Sequence, residues 1–309
     1  MPTMERISVT DPIGLAIERV RVLLFRPFDL GKWFTIGFCA WLAGLGERGF
    51  SGNFNSGSSS NRHGGDIHQQ FEHMRAVVRE NLYWILPVAI FVLAAILALC
   101  LLLMWLNSRG KFMFLHCVAL NRAEVREPWN RFSNAANSLF WFRIVLGLIG
   151  MAVTLPLLVL IGIAGFKMFT HDSWNFGGIM AMIAIWMVIM AVSICFAVAR
   201  KLTMDFVVPI MYLRGSRCMD AWREFLKLLG AHAGQFALYI LFQIVITIGL
   251  GALVLAAVLV TCCIAGCVMA IPYIGTVLLL PVIAFKRAYS LYYFAQYGPA
   301  YNVFPPAVG

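Results

Sequence analysis

Long apolar stretches constrain this chain more than any other feature of its sequence. A helix needs about 20 apolar residues to cross the ~30 Å hydrocarbon layer of a bilayer. Six stretches approach or exceed that length, at roughly 29–46, 82–106, 138–166, 177–199, 235–260 and 274–296. The first is the weakest, because Asp29 and Lys32 shorten its uncharged part. The sequence therefore predicts an all-α integral membrane protein with six transmembrane helices.

The composition agrees with this class and excludes a nucleic-acid-binding domain. Apolar residues make up 61% of the chain and charged residues only 12%, whereas a soluble domain has about 45–50% and about 25%. The formal charge of +10 must lie mostly in the loops, because charges are costly inside a bilayer. Of the 24 Lys and Arg residues, 19 fall on one side of the predicted spans. The excess of basic residues marks the cytoplasmic side, so both termini are predicted to be cytoplasmic.

The loop after the first span differs in composition from the rest of the chain. Fourteen of the 21 residues in 46–66 are Gly, Ser or Asn, which predicts a flexible extracytoplasmic loop. Apolar residues then recur at helical spacing over 67–80, which predicts an amphipathic helix. His63, His68 and His73 are five residues apart and do not share a helix face, so no metal site is predicted there.

Basic residues recur with a period close to a third of the chain. Each copy is a basic pair followed by a mostly apolar run, and the copies start 91 and 86 residues apart. The pairs are Arg109 with Lys111, Arg200 with Lys201, and Lys286 with Arg287. The spacing predicts three hairpin repeats, approximately 11–121, 122–215 and 216–300, within a single polytopic membrane domain.

A short amphipathic helix is predicted before each hairpin, on the cytoplasmic side. Its apolar residues recur at spacings of three and four. The three stripes are Ile13, Ile17, Val20 and Leu24; Trp129, Phe132 and Ala136; and Met219, Trp222, Leu226 and Leu229. These helices either contact anionic lipid together with the basic pairs or cover the cytoplasmic end of the helix bundle. The Tyr-rich segment from Tyr289 to Tyr297 is expected to form an interfacial belt.

Ionisable residues are nearly absent from the interiors of the predicted spans. Asp205 is the nearest exception, and it is either an interfacial acid paired with the preceding basic residues or a buried functional acid. His116 is expected to be a packed histidine. The sequence has no catalytic motif, and no enzyme activity, cofactor or metal is predicted. Cys262, Cys263 and Cys267 lack a further metal ligand nearby, although a disulfide among them stays open.

One region resembles a known group of membrane proteins. Residues 200–245, and more weakly 109–150, carry a pattern of apolar and aromatic residues entering a span. Its members are Phe206, Pro209, Asp220, Ala221, Trp222, Phe225, Gly230 and Phe236. The pattern resembles uncharacterised bacterial multi-pass proteins similar to the membrane domain fused to some glycerophosphodiester phosphodiesterases. The resemblance implies a bacterial inner-membrane protein and no known catalytic residues.

Two functions are compatible with these features. The first is a non-enzymatic scaffold that contacts membrane lipids, with anionic lipids as candidates, or binds a protein partner. The residues proposed to contact lipid head groups are Arg109, Lys111, Arg200, Lys201, Lys286 and Arg287. The alternative is a transporter or lipid exporter with a pathway between the three hairpins. A homo-oligomer is neither favoured nor excluded by the sequence.

Overall fold

A computed structural model describes residues 7–45, 82–170, 176–261 and 264–305, and these residues form helices and connections without strands. The chain divides into two compact units, one of Met1–Ala43 with Ser108–Gly309 and the other Gly44–Asn107. The predicted loop at 46–66, the predicted helix at 67–80, and Cys262 with Cys263 lie outside the described residues. The protein is thus all-helical over the part of the chain that the structure describes.

The described residues contain twelve α-helices, one π-helical segment and one 3₁₀ turn. They are α1 (Asp11–Phe25), α2 (Leu30–Gly44), α3 (Leu82–Leu120), α4 (Arg126–Arg131), α5 (Ser133–Thr170), α6 (Phe176–Leu202), a π-helical segment (Thr203–Val207), α7 (Val208–Arg214), α8 (Cys218–Ala231), α9 (Ala233–Val260), α10 (Ile264–Ala270), α11 (Pro272–Leu278), α12 (Leu280–Ala295) and a 3₁₀ turn (Pro299–Tyr301).

Four helical runs in the described residues are long and apolar enough to cross a membrane. They are Leu86–Leu120, Ser133–Phe166, Phe176–Arg214 and Ala233–Val260. The last three contain the predicted spans 138–166, 177–199 and 235–260, and the first overlaps most of the predicted span 82–106. The other two predicted spans look different. The first corresponds to α2, which has only 15 residues. The last is divided at Leu279 into α11 and α12, with Pro281 in the first turn of α12, where its missing N–H group is tolerated.

The N-terminal helix α1 packs against α12. The residues that precede α1 also bind to α12, because the Tyr289 hydroxyl donates to the Val9 carbonyl over 2.9 Å. The side-chain amide of Gln296 also accepts from the Ser8 N–H and donates to the Ser8 carbonyl. In the predicted stripe of α1, Val20 and Leu24 are buried, whereas Ile17 is exposed.

The C-terminal end of α3 is closed by side chains from the first two helices. Arg19 of α1 donates to the carbonyls of Val118 and Ala119, which have no acceptor role within the helix. Lys32 of α2 donates to the side chain of Asn121, whose φ of 58° is the left-handed conformation common just after a helix. These contacts fix the helix end near which His116 lies.

Close helix packing explains the glycine between Arg109 and Lys111. A Cβ atom added at Gly110 would lie 2.5 Å from the backbone N of Ala43 and 2.6 Å from the carbonyl carbon of Leu42. Only glycine lets α2 and α3 approach so closely. The glycine in this copy of the repeat therefore serves packing.

The core of the larger unit is aromatic. Phe206 stacks on Phe225 with ring centroids 5.4 Å apart, and Tyr239 lies 4.9 Å from Phe206 and 4.6 Å from Tyr293. Tyr289, Tyr293 and Phe294 have no exposed surface. The expected interfacial belt at 289–297 was therefore wrong for these three residues, because α12 is covered by α1 and by the π-helical segment on the faces that carry them.

Candidate functional site

The helix that carries Asp205 changes its hydrogen-bonding pattern at that residue. Pro209 lacks the N–H that would bond to the carbonyl of Asp205, and a proline ring clashes with that carbonyl in a regular α-helix. The chain accommodates Pro209 through the π-helical turn Thr203–Val207, in which the Val208 N–H bonds to the Thr203 carbonyl. The helix thus continues from α6 into α7 without a break, and Asp205 lies on the widened turn.

Asp205 is both buried and paired. Its Oδ2 atom lies 2.8 Å from Lys201 Nζ, one turn earlier on the same helix, and accepts a hydrogen bond of 2.9 Å from the Tyr239 hydroxyl of α9. The Asp205 residue is almost fully buried, whereas the Lys201 side chain is partly exposed. Asp205 is therefore an ion-paired acid that is also buried, and a functional role for it stays a prediction.

Three predicted lipid-contacting residues turn inward to the same segment. Arg287 of α12 donates from Nη1 to the Met204 carbonyl over 2.6 Å, and Lys111 Nζ of α3 lies 2.9 Å from Met204 Sδ. Lys201 completes the set through Asp205. Each of these residues is the second basic residue of its predicted pair. We refer to Lys111, Lys201, Met204, Asp205, Tyr239 and Arg287 as the Asp205 cluster.

The first residues of the three pairs are placed differently from the second. Arg109 lies over the Trp129 ring, with Cζ 4.7 Å from the ring centroid. Arg200 is exposed at the end of the apolar run of α6, and Lys286 is half-buried. Among the six basic residues, Arg200 therefore has the geometry expected for contact with a lipid head group.

A polar stripe leads from the Asp205 cluster along α9. Gln243 donates from Nε2 to the Tyr239 oxygen over 2.9 Å, and the Thr247 hydroxyl donates to the Gln243 carbonyl over 2.7 Å. Tyr239 and Gln243 are both buried. The hydrogen bond from Gln243 holds the Tyr239 hydroxyl where it can donate to Asp205. This arrangement favours a role for Tyr239 in positioning Asp205 rather than in a chemical reaction.

Sequence reasoning missed Tyr239, Gln243 and Met204 as members of the site. A signal existed for the first two, because Tyr239, Gln243 and Thr247 recur every four residues in an otherwise apolar helix. That spacing places polar groups on one face. Met204 contributes its backbone carbonyl and its sulfur to the site. The sequence does not indicate such a role, because methionine is an apolar residue in an apolar helix.

The helix α8 presents one face to the core and another outward. Cys218, Ala221 and Phe225 are buried. Met219 and Leu226, which belong to the predicted apolar stripe, are instead 59% and 52% exposed. Helix α8 is thus apolar on two sides: the side containing Phe225 packs on Phe206, and the predicted stripe residues Met219 and Leu226 lie on the exposed side.

The outward face of α8 also carries basic residues. Arg223 is highly exposed, with its Nη1 atom 3.7 Å from Asp220 Oδ1, and Lys227 is exposed one turn further on. Arg223 lies between Met219 and Leu226 in the sequence, and Lys227 directly follows Leu226. An exposed helix face that mixes large apolar and basic side chains is typical of helices at a membrane surface.

Burial also determines the chemistry of the cysteine at the start of α8. Cys218 is almost fully buried, and its N–H donates to the Ser138 hydroxyl over 3.0 Å. Burial raises the pKa of the Cys218 thiol to about 12. At neutral pH this cysteine is a protonated, unreactive thiol, in agreement with a packing role.

Fold and site together define a membrane protein, helical throughout its described residues, in which a buried acid is held among basic side chains. The chain belongs to a family of unknown function, DUF7544, whose model matches residues 7–303. No curated protein and no solved structure matches the chain.

Proposed function

We propose that this protein is a non-enzymatic, multi-pass protein of the bacterial inner membrane that contacts anionic lipid head groups, with both termini in the cytoplasm. The observation that carries the proposal is the outward face of α8, on which Arg223 and Lys227 accompany exposed Met219 and Leu226. The apolar side chains would enter the head-group region while the cations meet lipid phosphates. Each Lys or Arg near an anionic surface contributes roughly 1 kcal/mol.

Arg200 extends this surface. It is exposed at the end of an apolar helix, where a cation reaches the head-group level. Its neighbour Lys201 is partly exposed and pairs with the buried Asp205. We therefore propose lipid contact for Arg200, Arg223 and Lys227, and structural support for Lys111, Lys201 and Arg287.

We further propose six spans arranged as three hairpin repeats. The support is that Lys111, Lys201 and Arg287, at corresponding positions of the three predicted units, all reach residues 204–205. In this arrangement α2 and the pair α11 and α12 supply the first and last spans. Fifteen residues of α2 extend only about 22 Å, so local bilayer thinning or snorkelling of Lys32 would complete that crossing. The likeness of residues 200–245 to bacterial multi-pass domains is compatible with this proposal.

Native mass spectrometry of the protein released from nanodiscs tests lipid contact. Nanodiscs would contain equal amounts of phosphatidylglycerol and phosphatidylcholine. The unmodified protein should retain phosphatidylglycerol preferentially, and a variant with Arg200→Gln, Arg223→Gln and Lys227→Gln should lose most of that preference.

The matched control for this experiment is Asp220→Asn. It alters the same exposed ion pair as Arg223→Gln but makes α8 more basic. It should retain at least as much phosphatidylglycerol as the unmodified protein. Equal retention by the triple variant and the unmodified protein would contradict the proposal.

The polar stripe of α9 favours transport as a second function, because transport pathways are lined by polar groups. If a water-filled pathway passes between the hairpins, a cysteine introduced by Gln243→Cys should react with a membrane-impermeant thiol reagent in intact vesicles. Protection of that cysteine in the folded protein, with reaction after denaturation, would remove the transporter interpretation.

A further inference from the structure

A buried histidine lies near two glutamates at the end of α3. His116 has no exposed surface, and its Nδ1 atom is 2.9 Å from the Tyr212 hydroxyl of α7. Its Nε2 atom makes no hydrogen bond and lies 4.0 Å from Glu124 Oε2, beyond hydrogen-bond distance. A buried nitrogen without a partner is uncommon and costly. Because Nε2 points toward carboxylates, a cation bound between them would give this nitrogen a partner.

The connection between α3 and α4 brings the two glutamates to the histidine. The helix α3 ends at Leu120, and the left-handed conformation of Asn121 turns the chain back. Glu124 lies in the connection and Glu127 in the first turn of α4. One ligand atom from each of His116, Glu124 and Glu127 lies within 4.8 Å of the other two.

Two arginines partly balance the carboxylates from outside. Arg122 Nη1 lies 3.8 Å from Glu124 Oε1, and Arg131 Nη1 lies 3.7 Å from Glu127 Oε1. Both arginine side chains are well exposed. Such exposed pairs contribute little, typically about 0–1 kcal/mol, so they do not prevent a more strongly held cation from binding on the histidine side.

The donor set fits a divalent transition-metal ion. Imidazole nitrogen with carboxylate oxygen is a ligand combination that Zn²⁺ accepts. Metal bonds of about 2.0–2.2 Å in tetrahedral geometry place ligand atoms about 3.4 Å apart. The glutamate side chains are 39% and 55% exposed, so they have room to turn and close the gap from the observed spacing.

The contact with Tyr212 orients the imidazole for this role. When Nδ1–H donates to the Tyr212 oxygen, Nε2 keeps its lone pair directed at the glutamates. Metal-binding histidines commonly use their second nitrogen for such a hydrogen bond, which fixes the ring and its tautomer. Tyr212 would thus be a positioning residue.

We propose that His116, Glu124 and Glu127 bind one Zn²⁺-like divalent ion that fastens the connection after α3 to the buried end of that helix. The three protein ligands leave a further position for water. The proposal is independent of lipid contact, because none of its residues lies on the outward face of α8.

The test measures zinc bound to tag-free, chelator-treated protein in detergent, by isothermal titration and by metal analysis after desalting. Histidines outside a defined site can add weak zinc binding, so the background carries His63→Gln, His68→Gln and His73→Gln. This background protein should bind about one zinc ion per chain. Adding Glu124→Gln and Glu127→Gln, both at exposed side chains, should weaken binding at least tenfold.

Two further variants control for non-specific binding and test the role of Tyr212. Glu18→Gln removes an exposed, arginine-paired glutamate from α1 and should leave zinc binding unchanged. Tyr212→Phe should retain the stoichiometry and weaken affinity about 10-fold or more, as expected for loss of an outer-shell partner. Absence of zinc binding by the folded background protein, or equal binding after both glutamate substitutions, would overturn the proposal.

Discussion

The Tyr239 hydroxyl donates a 2.9 Å hydrogen bond to Asp205 and so joins α9 to the π-helical segment. The same oxygen accepts from Gln243, which places it between a carboxylate and an amide in a buried site. Because Lys201 approaches the same carboxylate oxygen, the charge of Asp205 is satisfied from two helices. This arrangement explains how an acid is accommodated at the end of an apolar helix.

Removing the Tyr239 hydroxyl should destabilise the protein. Tyr239→Phe leaves the ring in the aromatic core but removes a hydrogen bond to a charged group, so the free energy of unfolding should fall by about 2 kcal/mol. Reversible unfolding in mixed micelles measures this loss. Tyr83→Phe, at a side chain that is mostly exposed, is the control and should change stability little; an unchanged stability of Tyr239→Phe would argue against the hydrogen bond.

A methyl group at Gly110 should disrupt the packing of α2 on α3. The added Cβ would overlap the backbone of Leu42 and Ala43, and backbone atoms cannot move aside cheaply. Gly110→Ala should therefore cost about 1–3 kcal/mol. Gly147→Ala on α5 meets no atom within 4 Å, so it should be neutral or slightly stabilising. Equal unfolding temperatures for the two variants would show that the close approach is not present.

Cys218 should resist alkylation in the folded protein. Its thiol is almost fully buried and its raised pKa of about 12 leaves very little thiolate at pH 8. Peptide mass spectrometry after N-ethylmaleimide treatment should show Cys218 unmodified, and denaturation should make it reactive. The exposed Cys267 is an internal comparison. Rapid modification of Cys218 before unfolding would contradict its burial beside Ser138.

The long apolar helices could be predicted because apolar runs of sufficient length carry the signal by themselves. Three predicted spans lie within long apolar runs of the described residues, and a fourth overlaps most of another such run. The last predicted span could not be described correctly from hydropathy, because a window average does not register the division at Leu279. It also does not register that Tyr289 and Tyr293 face neighbouring helices rather than a membrane interface.

The basic pairs could be found from the sequence, but their directions could not. Arg200 and Lys201 are adjacent and chemically similar, yet only Lys201 is one helical turn from Asp205 and on the same side. The four-residue spacing between Lys201 and Asp205 is local and visible in the sequence, whereas the contacts of Lys111 and Arg287 with Met204 depend on tertiary packing. The three inward residues come from units far apart in sequence, so only the fold shows that they meet.

The most direct test of the division between outward and inward basic residues compares Arg200→Gln with Lys201→Gln. Both variants would be examined for phosphatidylglycerol retention by native mass spectrometry and for unfolding free energy in mixed micelles. Arg200→Gln should lose lipid while keeping its stability. Lys201→Gln should keep lipid and lose about 1–2 kcal/mol, less than a fully buried pair because Lys201 is partly exposed. Indistinguishable behaviour of the two variants in both measurements would contradict the division.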